Sequence, residues 1–308
     1  MEIHHIKLTG PALTGKKIDA AVLKELLEIL IDGSRQAVRL RLEGRSTLMG
    51  QPIWLLKCSA FDFVSLKEGS TEIVIEAKPL REAAPDKFGQ PELFGSEVDS
   101  ERSALAHFED SLSDIFHTRT DSDLFDQGIV KTAERFGGLL KDRVDSIEFR
   151  NGRAQSIIVT PDSISKIKEL RCNTPPSRHV RVTGKLDVIR HSDMMFNLIL
   201  DTGEKIRGVA DGIAPDRLAG LFGCSVLVSG RAVFRPSGRV LGIEASHIET
   251  HSGEHTLWSK MPAPLFGGKD GFSQRKIQGP RSGFNAIFGK WPGEESDEEI
   301  KDALENLS

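Results

Sequence analysis

The chain has 308 residues, 38% of them hydrophobic and 28% charged, and a formal net charge of −4. That length holds two domains and a tail, and the balance is that of a soluble globular protein. No apolar run approaches the roughly 20 residues a membrane span needs, and the small negative charge argues against bulk nucleic-acid affinity.

In chain order, Ile3–Leu8 reads as a short strand. Asp19 is placed to cap a helix from Ala20 to about Asp32, whose apolar residues, from Val22 to Ile31, recur at helical spacing, with Gly33 as the stop. Gln36–Glu43 alternates: Val38, Leu40 and Leu42 against Arg39, Arg41 and Glu43, which predicts a half-buried strand. Phe61–Leu66 and Glu72–Ala77 predict a hairpin turning at Lys67–Ser70. Pro79–Ser100 loses its period and reads as a loop. Helices are expected over Glu101–Phe116 and Asp123–Lys141, then a hairpin, Asp145–Arg150 and Ser156–Val159, turning at Asn151-Gly152. Pro161–Arg171 is a helix, and Asn173–Ser177 a linker.

From Val180 to Ile248 the pattern changes. Val180, Val182, Leu186 and Val188 share one face of a first strand, while Arg181, Lys185 and Asp187 share the other. Phe196, Leu198 and Leu200 form the inner row of a second, with a turn at Asp201–Gly203. A helix over Asp216–Phe222 precedes two further strands, which turn at Pro236–Gly238. Gly184 and Gly230 suit the tight bends of a closed barrel. Strand count, helix position and turn placement resemble the OB fold, a small five-stranded barrel that often binds oligonucleotides.

This block is net basic, with 10 basic side chains against 8 acidic over residues 178–249. Arg181, Lys185, Arg207, Arg231 and Arg235, joined by Arg239, are therefore candidates for nucleic-acid contact. Stacking aromatics are scarce: Phe196 belongs to the core, Phe222 to the helix, and only Phe234 is left for a base. In the first block, Asp62 and Glu76-Ala-Lys78 lie on adjacent strands, with Glu25 and Glu28 on the preceding helix. The order helix, three strands, helix resembles restriction-endonuclease-like nucleases. That resemblance implies an acidic pair, Asp62 and Glu76, holding Mg²⁺ while Lys78 assists the attacking water. The plainer reading is a solvated strand end.

After Thr250 comes a tail rich in Gly, Pro, Ser and charge. Arg281–Ser308 reads RSGFNAIFGKWPGEESDEEIKDALENLS. Ser282 is placed to cap a turn presenting Phe284, Ile287 and Phe288, and Trp291-Pro-Gly then breaks the chain. Ser296 and Glu299 form a capping box. Ile300, Ala303, Leu304 and Leu307 then make an apolar stripe on a helix too short to persist alone in water. This segment resembles the toxin-wrapping tails of bacterial antitoxins that pair with PIN-domain ribonuclease toxins. The resemblance implies that Phe284, Phe288 and Trp291 anchor on a partner. Arg281 or Lys290 would reach its acidic metal ligands, with Ile300, Leu304 and Leu307 as the docking stripe. The plainer reading folds the tail onto its own domain.

Other residues point to no chemistry. Cys58, Cys172 and Cys224 are odd in number and far apart, so three buried reduced thiols are expected rather than disulfides or zinc. His4-His5 and His247, His251 and His255 read as surface histidines, and Asp121-Ser-Asp123 as a helix cap. No nucleophile–histidine–acid set follows from spacing. The opening MEIHHIKLTG lacks the apolar core of about 7–15 residues of a signal peptide, which points to the cytoplasm.

The expected fold is thus α+β: a mixed α/β domain over 1–175, an OB-like barrel over 178–250, and a partly disordered tail over 251–308 with a C-terminal helix and a partner-binding segment at 281–308. The expected function is a non-enzymatic cytoplasmic interaction protein without metal or cofactor. It would act on a protein partner, such as a PIN-domain toxin, through the tail. The alternatives are nucleic-acid binding through the barrel and the Mg²⁺ nuclease.

Overall fold

The computed structural model describes residues 1–10, 13, 17–47, 50–67, 71–89, 98–140, 144–150, 156–190, 194–210, 212–251 and 258–264. The turns expected at 67–70 and 151–152 lie largely or wholly outside these residues, as do His255 and the whole segment 281–308. Residues 1–268 make one compact unit containing both sheets; the remaining 269–308 are outside the described residues.

The first part runs β1 (Glu2–Thr9), α1 (Ala20–Glu43), α2 (Ile53–Cys58), β2 (Phe61–Lys67), β3 (Thr71–Ala77), α3 (Leu80–Ala83), α4 (Pro85–Phe88), α5 (Ala104–Phe116), α6 (Gln127–Glu134), α7 (Phe136–Leu139), β4 (Ser146–Arg150), β5 (Ile157–Val159) and α8 (Pro161–Asn173). Its strands form an antiparallel sheet in the order β2-β3-β1-β4-β5. Alternation sends Ile6, Leu8, Ile73, Ile75 and Ile147 toward the helices, where they pack with Leu26, Ile29, Leu30 and Phe108. The other sheet face carries exposed Ile3 and Ile158 and the His5–Glu72 hydrogen bond.

Helix α1 corrects two expectations. Gly33 does not stop it, and Gln36–Glu43 is helical rather than a strand; α1 continues unbroken for 24 residues. The stop is Gly44, whose backbone is left-handed with φ of 70°. Gly33 is there because the Phe108 ring of α5 seats on it: a Cβ would lie 2.2 Å from Phe108 Cζ. The alternation at 36–43 arises because the helix is buried on more than one side. Leu40 joins the sheet-side core, while Val38 and Leu42 join a second core with Leu55, Cys58, Leu80 and Phe88. The intervening arginines are buried as well. Arg41 donates to the carbonyls of Ala37 and His107, and Arg39 to Glu43 at 2.7 Å. A helix surrounded in this way loses the polar stripe that gives a 3.6-residue period. The Pro79–Ser100 stretch, expected as a loop, contains α3 and α4, and α2 was not foreseen.

Burial corrects the cysteine and histidine expectations too. Cys58 is buried, which pushes its thiol up to about 12, but Cys172 is exposed and Cys224 intermediate. His4 is fully buried rather than on the surface.

The second part runs β6 (Arg178–Arg190), β7 (Met195–Ile199), β8 (Lys205–Ala210), α9 (Pro215–Ala219), β9 (Ser225–Phe234) and β10 (Val240–Thr250). The strands close into a barrel in the ring order β10-β8-β7-β6-β9, antiparallel except for the parallel pair β8 and β10. This is an OB-like barrel: five strands, with the helix between the third and fourth. Val182, Leu186, Phe196, Leu198, Val226, Val228 and Ile243 fill it. Gly230 is needed where β9 meets β10, since a Cβ there would sit 2.2 Å from the Glu244 carbonyl oxygen. Val188 does not face inward as expected. The β6–β7 register shifts between Leu186 and Val188, leaving Val188 44% exposed and Ile189 against the core.

Gly33→Val puts methyl groups where the Phe108 ring lies. It should destabilise the protein by about 3 kcal/mol, as overpacking does, measured as a lower urea midpoint at unchanged m-value. An undiminished midpoint would show that the α1–α5 seat is not tight.

Candidate functional site

The barrel's β7–β8 face is set by alternation. Phe196, Leu198, Ile206 and Ala210 point into the core, so Met195, Asn197 and Ile199 on β7 and Lys205, Arg207 and Val209 on β8 point outward. Met195 and Val209 are nonetheless buried, at 4% and 6% exposure. The first domain covers them: a Cβ on Gly44 would lie 2.8 Å from Val209 Cγ2 and 3.7 Å from Met195 Cε. Gly44 therefore serves both the left-handed helix end and the close approach to the barrel.

The other half of the face is open. Asn197, Lys205 and Arg207 line a cleft of roughly 310 Å³, together with Glu204, Arg235, Arg239 and, from the first domain, Asp123. Among the six barrel cations singled out in the sequence, the structure brings Arg207, Arg235 and Arg239 together here. It leaves Arg181, Lys185 and Arg231 on the β6–β9 wall, where Arg231 donates to Glu244 at 2.9 Å. Arg181 and Lys185 are exposed. Phe234, the one aromatic expected to be free for stacking, is only 3% exposed, packed with Val180 and Ala232 under Met261.

The β9–β10 loop is tied to the first domain by charge. Asp121 accepts from Arg235 Nη1 at 3.2 Å, from Arg239 Nη1 at 2.5 Å and from the Ser237 hydroxyl at 2.9 Å. Asp123 accepts from Arg235 Nη2, and the Ser237 amide donates to the Thr120 carbonyl at 3.0 Å. The Arg239 guanidinium, helped by Ser237 and Arg235, holds the Asp121 carboxyl below its ordinary range. The Asp121–Asp123 pair is thus not the helix cap expected of it. Asp126 caps α6 instead, accepting from the amides of Gly128 and Ile129.

A larger hollow, roughly 470 Å³, lies beside α1 and is lined by Arg35, Gln36, Arg39, Ser46 and Gln51 among others. Its polar groups already engage one another. Arg39 holds Glu43 and the Gly50 carbonyl, Arg35 the Ser59 hydroxyl, and Ser46 donates to Asp126. Thr132 likewise donates to Gln36.

The structure also assembles a set invisible in the sequence. His4 Nδ1 lies 2.9 Å from Glu109 Oε1, and His4 Nε2 lies 3.0 Å from Ser103 Oγ. These are the contacts of a nucleophile–base–acid triad. All three residues have 0% exposure, however, so no substrate reaches the hydroxyl. Ser103 Oγ is also the cap of α5, accepting from the Ala106 amide, and the Ser103 amide donates to Glu2. The set pins β1 to α5. Its members lie 99 and 105 residues apart, so spacing carried no signal.

Asp62 and Glu76 are cross-strand partners on β2 and β3, on the sheet face away from the helices, and Lys78 is exposed one residue beyond β3. Glu25 and Glu28 lie on α1, across the sheet. Only two strands, not three, stand between α2 and α3, because the third counted from sequence belongs to α1. Among the described residues no group of three His, Cys, Asp or Glu is placed to hold a metal ion. No described helix is long and apolar enough to cross a membrane. The fold and site define an α+β protein in which an OB-like barrel meets the C-terminal end of α1 and the 120–123 loop of a helix-backed antiparallel sheet domain. No protein-family model matches the chain, and neither does any curated protein or solved structure.

Ser103→Ala removes both the hydroxyl on His4 and the α5 cap. It should cost about 1–3 kcal/mol in unfolding free energy, while a serine-directed fluorophosphonate leaves the folded wild-type protein unlabelled. Labelling of Ser103 under native conditions would show the set to be open after all.

Proposed function

We propose that this protein is a non-catalytic binding protein whose barrel holds single-stranded nucleic acid along the open half of its β7–β8 face. The observation that supports this most is the cleft itself. It lies on the strands and beside the loop through which OB barrels bind oligonucleotides, and Lys205, Arg207, Arg235 and Arg239 converge on it. Guanidinium groups match phosphate oxygens in geometry as well as charge. Among the described residues no aromatic side chain lines the cleft, so recognition there runs through the sugar–phosphate backbone and carries little base preference. Arg181 and Lys185 on the adjoining wall offer a continuation for a longer strand.

Engagement of two to four phosphates gives a slope of log K against log salt between about −1.4 and −2.8. Arg207→Ala should flatten that slope by about 0.7 and weaken binding several-fold, as read by fluorescence anisotropy on a labelled oligothymidylate. Binding indifferent to salt, or to loss of Arg207, would refute the reading.

We further propose that the segment Arg281–Ser308 engages a protein, in the manner of the antitoxin tails it resembles. What supports this is the capping box at Ser296 and Glu299 ahead of the stripe Ile300, Leu304 and Leu307. Phe284, Phe288 and Trp291 stand before it as anchors suited to a partner's groove. A chain truncated at Pro280 should keep its unfolding midpoint but lose a co-expressed PIN-domain partner on affinity purification. Retention of that partner would eliminate the arm.

A further inference from the structure

We propose that the Asp121–Asp123 loop is a built-in competitor for the barrel's ligand, seated on the guanidinium groups that a strand's phosphates would take. This rests on the nucleic-acid reading of the cleft and adds its regulation.

Three observations converge. First, the contacts are of the kind a phosphodiester makes. The Asp121 carboxylate accepts from Arg235, Arg239 and the Ser237 hydroxyl together, and Asp123 takes the second Arg235 nitrogen. Carboxylate and phosphate are the two anions that guanidinium binds in a fork. A strand entering the cleft must therefore displace the loop or forgo both arginines.

Second, the match is incomplete. Arg235 Nε is buried and has no acceptor among the described residues. The two aspartates occupy Nη1 and Nη2 of Arg235, whereas the two non-bridging oxygens of a phosphodiester can fork on Nε and one Nη and so take that last donor.

Third, the loop sets the charge of the cleft. Asp123 lines it directly. With the loop seated, the cleft lined by Lys205, Arg207, Arg235 and Arg239 carries the carboxylates of Asp123 and Glu204 among the described residues. With the loop withdrawn, Glu204 is the one of these two that stays. The Asp121 and Asp123 side chains are themselves 43% and 53% exposed, and Arg239 is 68% exposed. Arg235 is only 17% exposed, so it is the Asp121–Arg239 pair that sits in water, is screened by salt and breaks at little cost. The loop acts as a latch that a polyanion can open.

The test uses the full chain and a fluorescein-labelled oligothymidylate of about 16 nucleotides, the upper site size for one such barrel. Affinities of the wild type, of Asp123→Asn, and of Asp121→Asn with Asp123→Asn are measured at about 50 and about 200 mM salt. The double variant should bind about tenfold more tightly than wild type, the scale of releasing a few exposed ion pairs. The single variant should fall between them, and the gain should shrink at the higher salt, where the latch is already screened. The single variant keeps every contact of Asp121, so it carries the test should the double variant unfold. Binding by the variants alone would also support the latch, as a tighter closure. Equal affinities across the three proteins, or weaker binding by the variants, would overturn the latch and leave the nucleic-acid reading standing. No binding by any of them at low salt would remove both.

Discussion

The carboxylates of Asp121 and Asp123 against the guanidinium groups of Arg235 and Arg239 govern what the barrel can offer. The Asp121–Arg239 pair is exposed and individually weak, while Arg235 is only 17% exposed. These pairs act together with the dry contact of Gly44 on Val209 and Met195, and the two attachments grip the barrel at the β9–β10 loop and on the β7–β8 face. The consequence is a division of one surface. Met195 and Val209 of the outward β7–β8 row lie under the first domain, and Asn197, Lys205 and Arg207 line a polar cleft whose wall includes an aspartate from that domain.

The first domain owes its solidity to α1, which is buried between two cores. The Phe108 ring seated on Gly33 brings α5 against it, and Arg41 reaches from α1 to the carbonyl of His107 on α5. Burial, with Arg41 nearby, pushes the His107 ring down to about 4, so it stays neutral at physiological pH. The Ser103–His4–Glu109 set belongs to the same scaffold. Its geometry is that of a hydrolytic triad, yet its setting is that of a helix cap sewn to a strand. Reactivity requires access as well as distances, and access is absent here.

The barrel was legible because its strands alternate with one face buried, and because Gly and Pro mark its turns. The exception, Val188, fails at a bulge, where one extra residue reverses inside and outside without changing composition. The hairpin of β2 and β3 and the helices α5 and α8 were legible for the same reason. The span 36–43 was not: alternating Val-Arg-Leu-Arg-Leu has the period of a strand, but two cores flank that turn of helix, so apolar residues two apart both find cover. The arginines between them are paired rather than solvated. Of the candidate cations, Arg207, Arg235 and Arg239 meet in the cleft while Arg181, Lys185 and Arg231 do not. The partners Lys205, Glu204 and Asp123 came only with the fold.

What the sequence determined by itself is local: strand periods, turn positions, the capping of α1 by Asp19, and the presence of a small barrel after a mixed domain. Each depends on neighbours a few residues away, whose spacing is written in the chain. The tertiary structure decided that Gly33 is a packing seat rather than a helix end, that His4 is sealed, and that Asp121 and Asp123 answer to arginines more than a hundred residues later. Those outcomes depend on through-space contact between distant segments, which hydrophobic periodicity along the chain does not encode.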